Sequence, residues 1–134
     1  MTRKLYRIPS LFALFLASLA VAGCGPSTEE REEARSIEIK VEEYKFSPSQ
    51  ITVKPGEELI IELRNEGKKE HSIEFDLPGK KPALERNVPP GQTGHLNFKA
   101  PSEPGTYPFF SPTNDDRKLG LEGHLSVTSK PARR

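Results

Sequence analysis

From Ser36 to Val127 apolar and polar residues alternate in a series of short runs, and no stretch of helical length carries a sustained apolar stripe. Ile37, Ile39 and Val41 share one phase while Glu38, Lys40 and Glu42 share the other. Successive side chains of an extended strand point to opposite faces, so this pattern predicts a strand with one face buried. The same code returns at Ile51 and Val53, at Leu59, Ile61 and Leu63, and at Ile73 and Phe75. It returns again at Leu96 and Phe98, at Tyr107 and Phe109, and at Leu125 and Val127. Between the runs fall Pro55-Gly56, Asn65-Glu66-Gly67, Pro78-Gly79, Pro89-Pro90-Gly91 and Pro104-Gly105, residues suited to turns that need a fixed or positive φ. Seven or eight strands so punctuated predict an all-β sandwich. About ninety residues can enclose one small core and not two, so residues 36–128 are expected to form a single domain. Phe46, Leu63, Phe75, Phe98 and Phe109 are its expected core.

The N-terminal end follows a different code. Basic residues Arg3, Lys4 and Arg7 precede the apolar run Leu11 to Ala22, which only Ser18 interrupts. A spanning helix needs about 20 apolar residues, so this shorter run is expected to be a signal peptide over residues 1–23. It closes on Val21-Ala22-Gly23-Cys24, which matches the lipobox of bacterial lipoproteins. That match implies a lipidated Cys24 as the first mature residue and attachment to a membrane. Cys24 is the only cysteine, so once it is lipidated the folded part has no thiol for a disulfide, a metal or a nucleophile. Residues 24–35 then form a lipidated acidic tether, with four glutamates and no large apolar residue. Residues 129–134 are expected to be a disordered C-terminal tail.

Charge narrows the partners. Removing residues 1–23 takes away Arg3, Lys4 and Arg7, leaving 17 Lys and Arg against 19 Asp and Glu. Nucleic-acid binding asks for a concentrated basic face, which this balance does not provide. Lys68-Lys69 and Lys80-Lys81 fall in turns and read as solvated charge. His95 and His124 sit beside inward-phased leucines, so alternation puts both rings on the outside. If the sandwich set them side by side they would form an adventitious metal site.

Tyr44-x-Phe46-x-Pro48-x-x-Ile51-x-Val53-x-Pro55-Gly56, the strand ending Leu63-Arg64-Asn65, His71, and Pro90-Gly91-Gln92 together resemble the cupredoxins, as does Gly105-x-Tyr107 running to Gly120-x-x-Gly123. The resemblance covers residues 37–127. It implies a Greek-key β-sandwich of 7–8 strands that generally carries a mononuclear blue (type 1) copper site for electron transfer. In that family the metal is held by a mid-sequence histidine and, on the last loop, by a cysteine, a second histidine and usually a methionine. His71 takes the first position. Aligning Phe110 and Gly120-x-x-Gly123 puts Ser111 in place of the cysteine, Asp116 in place of the second histidine and Leu121 in place of the methionine, with Asp115 one place away in register. Blue copper depends on a short copper–thiolate bond in a trigonal set. A serine hydroxyl keeps its proton near neutral pH and leucine has no lone pair, so no type 1 copper is expected.

Four functions remain open from the residues. The first is metal handling at the cell envelope, which the resemblance implies through cupredoxin-like proteins that lack the usual ligands and work beside bacterial iron or copper uptake systems, with His71 and Asp116 or Asp115 as a harder, non-blue set suited to Cu(II), Fe or Zn. The second is a metal-free interaction module that binds an envelope protein, held at the membrane by the lipid anchor. A hydrolytic trio of Ser111, His71 and Asp116 lacks a nucleophile elbow and oxyanion donors, so no enzyme is expected. A blue copper carrier borrowing its thiolate from Cys24 would need that residue free of lipid. The expected location is outside the cytoplasm, in the periplasm or at the cell surface.

Overall fold

The computed structural model describes residues 23, 25 and 32–130. Residues 1–22 of the expected signal peptide, Cys24, most of the expected tether and residues 131–134 of the expected tail lie outside the described residues. Residues 1–30 separate from residues 31–134, and it is the second unit that follows.

Eight strands account for the alternation: β1 (Arg35–Glu42), β2 (Lys45–Ser47), β3 (Gln50–Val53), β4 (Glu58–Asn65), β5 (Glu74–Phe75), β6 (Thr93–Lys99), β7 (Gly105–Phe110) and β8 (Glu122–Val127). They form two four-stranded sheets, ordered β2-β1-β4-β6 and β3-β8-β7-β5. β1 runs parallel to β4 and β3 runs parallel to β8, while the remaining pairs are antiparallel. The described domain is therefore the all-β sandwich that the pattern predicts, of the Greek-key class that the resemblance implies. Its strands run from Arg35 to Val127. β2 is the element that alternation does not reveal, because its three residues contain a single inward position, Phe46.

The inward phases meet as expected. Ile39, Val41, Ile61 and Leu63 from one sheet and Phe75, Phe109 and Leu125 from the other are wholly buried. The five residues assigned to the core from sequence are 0–8 % exposed. Phe75 joins the sheets, with its ring centroid 4.7 Å from Phe98 and 5.0 Å from Phe109, and Phe46 covers Phe109 at 5.3 Å. Each such side chain contributes roughly 1.5–3 kcal/mol through burial. Leu96 is different: it is only half-buried, because β6 is the outermost strand of its sheet. Pro104-Gly105 also differs from expectation, since Gly105 is already the first residue of β7.

Three connections gather at the end of the sandwich where β1 and β4 finish: residues 43–44, 66–70 and 111–121. β1 begins at the opposite end, with Arg35.

Candidate functional site

Period two carries both long strands one step past their apolar residues. The inward phase 37, 39, 41 reaches Glu43, and the inward phase 59, 61, 63 reaches Asn65. Asn65 is fully buried. Its amide donates to the carbonyls of Lys69 at 2.7 Å and Val88 at 2.8 Å, and its Oδ1 accepts from the N–H of Gly67 at 2.8 Å. The 66–70 turn is thereby folded so that the N–H groups of Lys68 and Lys69 both point at Glu43 Oε1, at 2.6 and 2.7 Å. Gly67 makes this approach possible, because a Cβ there would lie 2.6 Å from the same oxygen.

These contacts set the charge on Glu43. The Lys69 N–H, then that of Lys68 and the His71 ring, hold its carboxyl down to about 2 from 4.5, against a desolvation that works the other way. The Lys69 side chain turns outward and donates to Tyr44 Oη at 3.2 Å. That contact, together with the carboxylates of Glu43 and Asp116, keeps the amine above the usual lysine range.

His71 stands in the middle of a buried chain of polar groups. Its Nε2 lies 3.2 Å from Glu43 Oε1 and its Nδ1 lies 2.7 Å from Asp116 Oδ2. Ser111 Oγ donates to the same Asp116 oxygen at 2.7 Å and accepts from the N–H of Ser72 at 3.2 Å. His71, Ser111 and Asp116 are 0–1 % exposed.

The last loop is built to deliver Asp116. Asn114 and Asp115 take left-handed backbone, with φ of 49° and 59°, and turn the chain inward. Asp116 N–H then donates to Thr113 O at 2.9 Å, Leu121 N–H to Asp116 O at 3.0 Å, and Ser111 N–H to Leu121 O at 3.2 Å. Gly120 supplies the closing turn at φ 100°, a conformation that other residues rarely adopt. Leu121 is fully buried beside this ring of bonds. Outside, Arg117 lies 4.1 Å over the ring of Phe110 and pairs with Glu122 at 3.1 Å.

The structure thus brings together His71, Ser111, Asp116 and Leu121. It leaves Asp115 out: that side chain is 70 % exposed and pairs with Lys118 at 2.7 Å. Glu43, which sequence reasoning passed over, belongs to the group. His95 and His124 are exposed on β6 and β8, in different sheets, so they do not lie side by side.

The sequence matches the profile of the cupredoxin-like domain over residues 11–121. The chain belongs to the cupredoxin-like domain family. Comparison with curated protein sequences gave no match. Among solved structures, reduced auracyanin from the photosynthetic bacterium Roseiflexus castenholzii is similar at 21 % identity and a TM-score of 0.62, over 71 % of this chain and 98 % of that one. Auracyanin A, a blue copper protein from Chloroflexus aurantiacus, is similar at 20 % identity and a TM-score of 0.62, over 71 % and 99 %. The blue copper oxidase of Nitrosomonas europaea is similar at 19 % identity and a TM-score of 0.58, over 74 % of this chain and 40 % of that one. At such identities the likeness is one of fold.

The residues of this cupredoxin-like domain do not fit a blue copper centre. No thiolate is present at the site, and the oxygen on which Ser111 and His71 converge belongs to Asp116. Both His71 nitrogens are engaged by carboxylates. Among the described residues, no buried side-chain nitrogen or oxygen lacks a hydrogen-bond partner, and no three His, Cys, Asp or Glu side chains form a group able to hold a metal ion. Nor is the trio arranged for hydrolysis. A nucleophilic serine must bond the base, whereas Ser111 bonds the aspartate and His71 Nε2 faces Glu43.

Proposed function

We propose that this protein is a lipid-anchored binding module of the bacterial cell envelope that works without a metal and without catalysis. The observation that carries this reading is the mutual satisfaction of Glu43, His71, Asp116 and Ser111. Where copper would need free lone pairs converging on an empty centre, these side chains spend their hydrogen-bonding capacity on one another. The chain from the anchor enters at Arg35, and the loops around the polar network close the other end of the sandwich.

Metal handling through His71 and Asp116 is the competing reading, and for His71 it requires one ring contact, to Asp116 Oδ2 at 2.7 Å or to Glu43 Oε1 at 3.2 Å, to be broken before the ring can coordinate. Calorimetric titration of the full-length chain with Cu(I), Cu(II), Fe(II) and Zn(II) separates the two. The expected result is no binding tighter than millimolar, with His71→Ala giving the same response. Submillimolar binding that disappears in His71→Ala would establish metal handling instead. Anchoring is tested in cells by metabolic labelling with palmitate. Label should be incorporated by the parent chain and lost in Cys24→Ala.

A further inference from the structure

Of the four strands that end a sheet, three offer little to a passing chain. β2 has three residues, among them Lys45, and runs into Pro48; β3 has four. β5 has two and is already covered, because the segment after it folds back: Leu84 N–H donates to Ile73 O, Phe75 N–H to Pro82 O, and His71 and Val88 exchange a pair of bonds. β6 is the exception, with seven residues, no proline, and its lysine at the last position. Edges of this kind are usually blunted, because a row of unpaired main-chain groups recruits another strand.

The direction of the β6 main chain follows from its ends. Asn65 N–H donates to Gln92 O, and Ala100 N–H donates to Glu57 O. Both pairs lie on the β4–β6 register, in which Arg64 faces Thr93 and Glu58 faces Lys99. Hydrogen-bonded positions alternate along an antiparallel pair, so Gly94, Leu96 and Phe98 bond to β4. Thr93, His95 and Asn97 therefore direct their N–H and C=O groups away from the sheet. None of these groups has a main-chain partner across the free edge among the described residues.

They open onto a groove of about 550 Å³, walled on one side by residues 92–97 and on the other by residues 83–89. Its lining is more polar than apolar. Leu84 and the buried Val88 fill the space beneath Gly94, where a Cβ would lie 2.7 Å from Val88 Cγ2, and half-buried Leu84 and Leu96 form an apolar strip on the floor. The far wall carries Glu85 and Arg86, one charge of each sign, so the groove as a whole favours an uncharged occupant.

We infer that β6 is a peptide-binding edge: an uncharged, extended segment of a partner protein adds as a strand alongside Thr93, His95 and Asn97, placing alternate apolar side chains on Leu84 and Leu96. A second copy of this chain is a poorer occupant, because its own residues 83–89 stand against its own β6. The inference rests on the binding-module reading and names its surface.

The test uses the full-length chain and a soluble, blocked peptide of alternating valine and threonine with a lysine at each end. A matched peptide N-methylated at alternate amides serves as the control. At millimolar peptide, amide resonances of residues 83–97 should shift, and the amides of Thr93, His95 and Asn97 should gain protection from hydrogen exchange; the methylated peptide should do neither. Asn97→Pro removes an outward N–H without touching the bonds to β4, so the domain should stay folded while peptide protection is lost. Leu84→Arg, which puts a charged side chain on the groove floor, is a second route should the proline variant fail to fold, and it too should abolish the shifts. Absence of peptide-induced shifts, shifts confined to other strands, or equal binding by the methylated peptide would overturn the inference. So would concentration-dependent dimerisation abolished by either variant, which would assign the edge to a second copy. Metal titration is unaffected by any of these outcomes, so the failure of this inference and the failure of the metal-free reading are separable.

Discussion

At the scale of single residues, the end of this domain is governed by two carboxylates with different exposures. Glu43 keeps 24 % of its side chain exposed and is held ionised chiefly by main-chain N–H groups. Its carboxyl is lowered in the fold from 4.5 to about 2, so its contribution to stability is complete above about pH 4.5 and is lost as pH falls through about 2. Denaturant midpoints measured from neutral pH downward should therefore fall more steeply for the parent chain than for Glu43→Gln across that window, and match its slope above it. Asp116 is buried and accepts from two side chains through one oxygen. Removing it strands the ring of His71 and the hydroxyl of Ser111 without water. Leaving a buried polar group unsatisfied costs about 1–3 kcal/mol, and with two groups stranded equilibrium unfolding of Asp116→Ala should show a drop of at least that size. A change within about 0.5 kcal/mol, the usual range for a surface substitution, would mean that the network contributes no net stability.

At the scale of elements, the 66–70 turn and the 111–121 loop are two halves of one device. The turn is folded by Asn65 and offers its N–H groups to Glu43; the loop is folded by its left-handed pair and offers Asp116; His71 joins them. Gly67 is the tightest point. The oxygen it faces is pinned by two main-chain donors and by His71, so an added methyl group cannot be relieved by a simple swing of the Glu43 side chain. Gly67→Ala should cost about 1–3 kcal/mol, in the range of local overpacking. It should also speed hydrogen exchange at the amides of Lys68 and Lys69 while leaving the β4–β6 ladder protected. Uniform loss of protection would indicate a global rather than a local effect.

At the scale of the whole molecule, the sandwich brings His71, Ser111, Asp116 and Leu121, the four positions that the resemblance aligns with copper ligands, to one region, and only His71 keeps a ligand side chain. The position of Asp116 Oδ2, shared by Ser111 and His71, makes this testable. Joint replacement Ser111→Cys, Asp116→His and Leu121→Met should give a chain that turns intensely blue on addition of Cu(II), because a thiolate and two imidazoles would then converge there. A folded, colourless variant would show that the loop no longer aims these positions at a common point.

The order of strands, their phase and most of the core were legible along the chain, because a half-buried strand writes its two faces as alternation. Ile39, Leu63 and Phe109 could be placed inside from their neighbours alone. The resemblance brought His71, Ser111, Asp116 and Leu121 to one region, and Asp116 rather than Asp115 proved to be the inward aspartate once the left-handed turn was seen. Glu43 and Asn65 were visible in principle as the next inward positions of β1 and β4. Alternation assigns a direction, however, and a polar residue at a strand end reads equally well as a turn. What the sequence determined by itself was which residues face inward, since that depends on local backbone geometry. What only the tertiary structure decided was which inward polar groups find each other and which edge stays unpaired. Both depend on distances between strands far apart in the chain, such as the 45 positions between His71 and Asp116, and no local pattern encodes a distance of that kind.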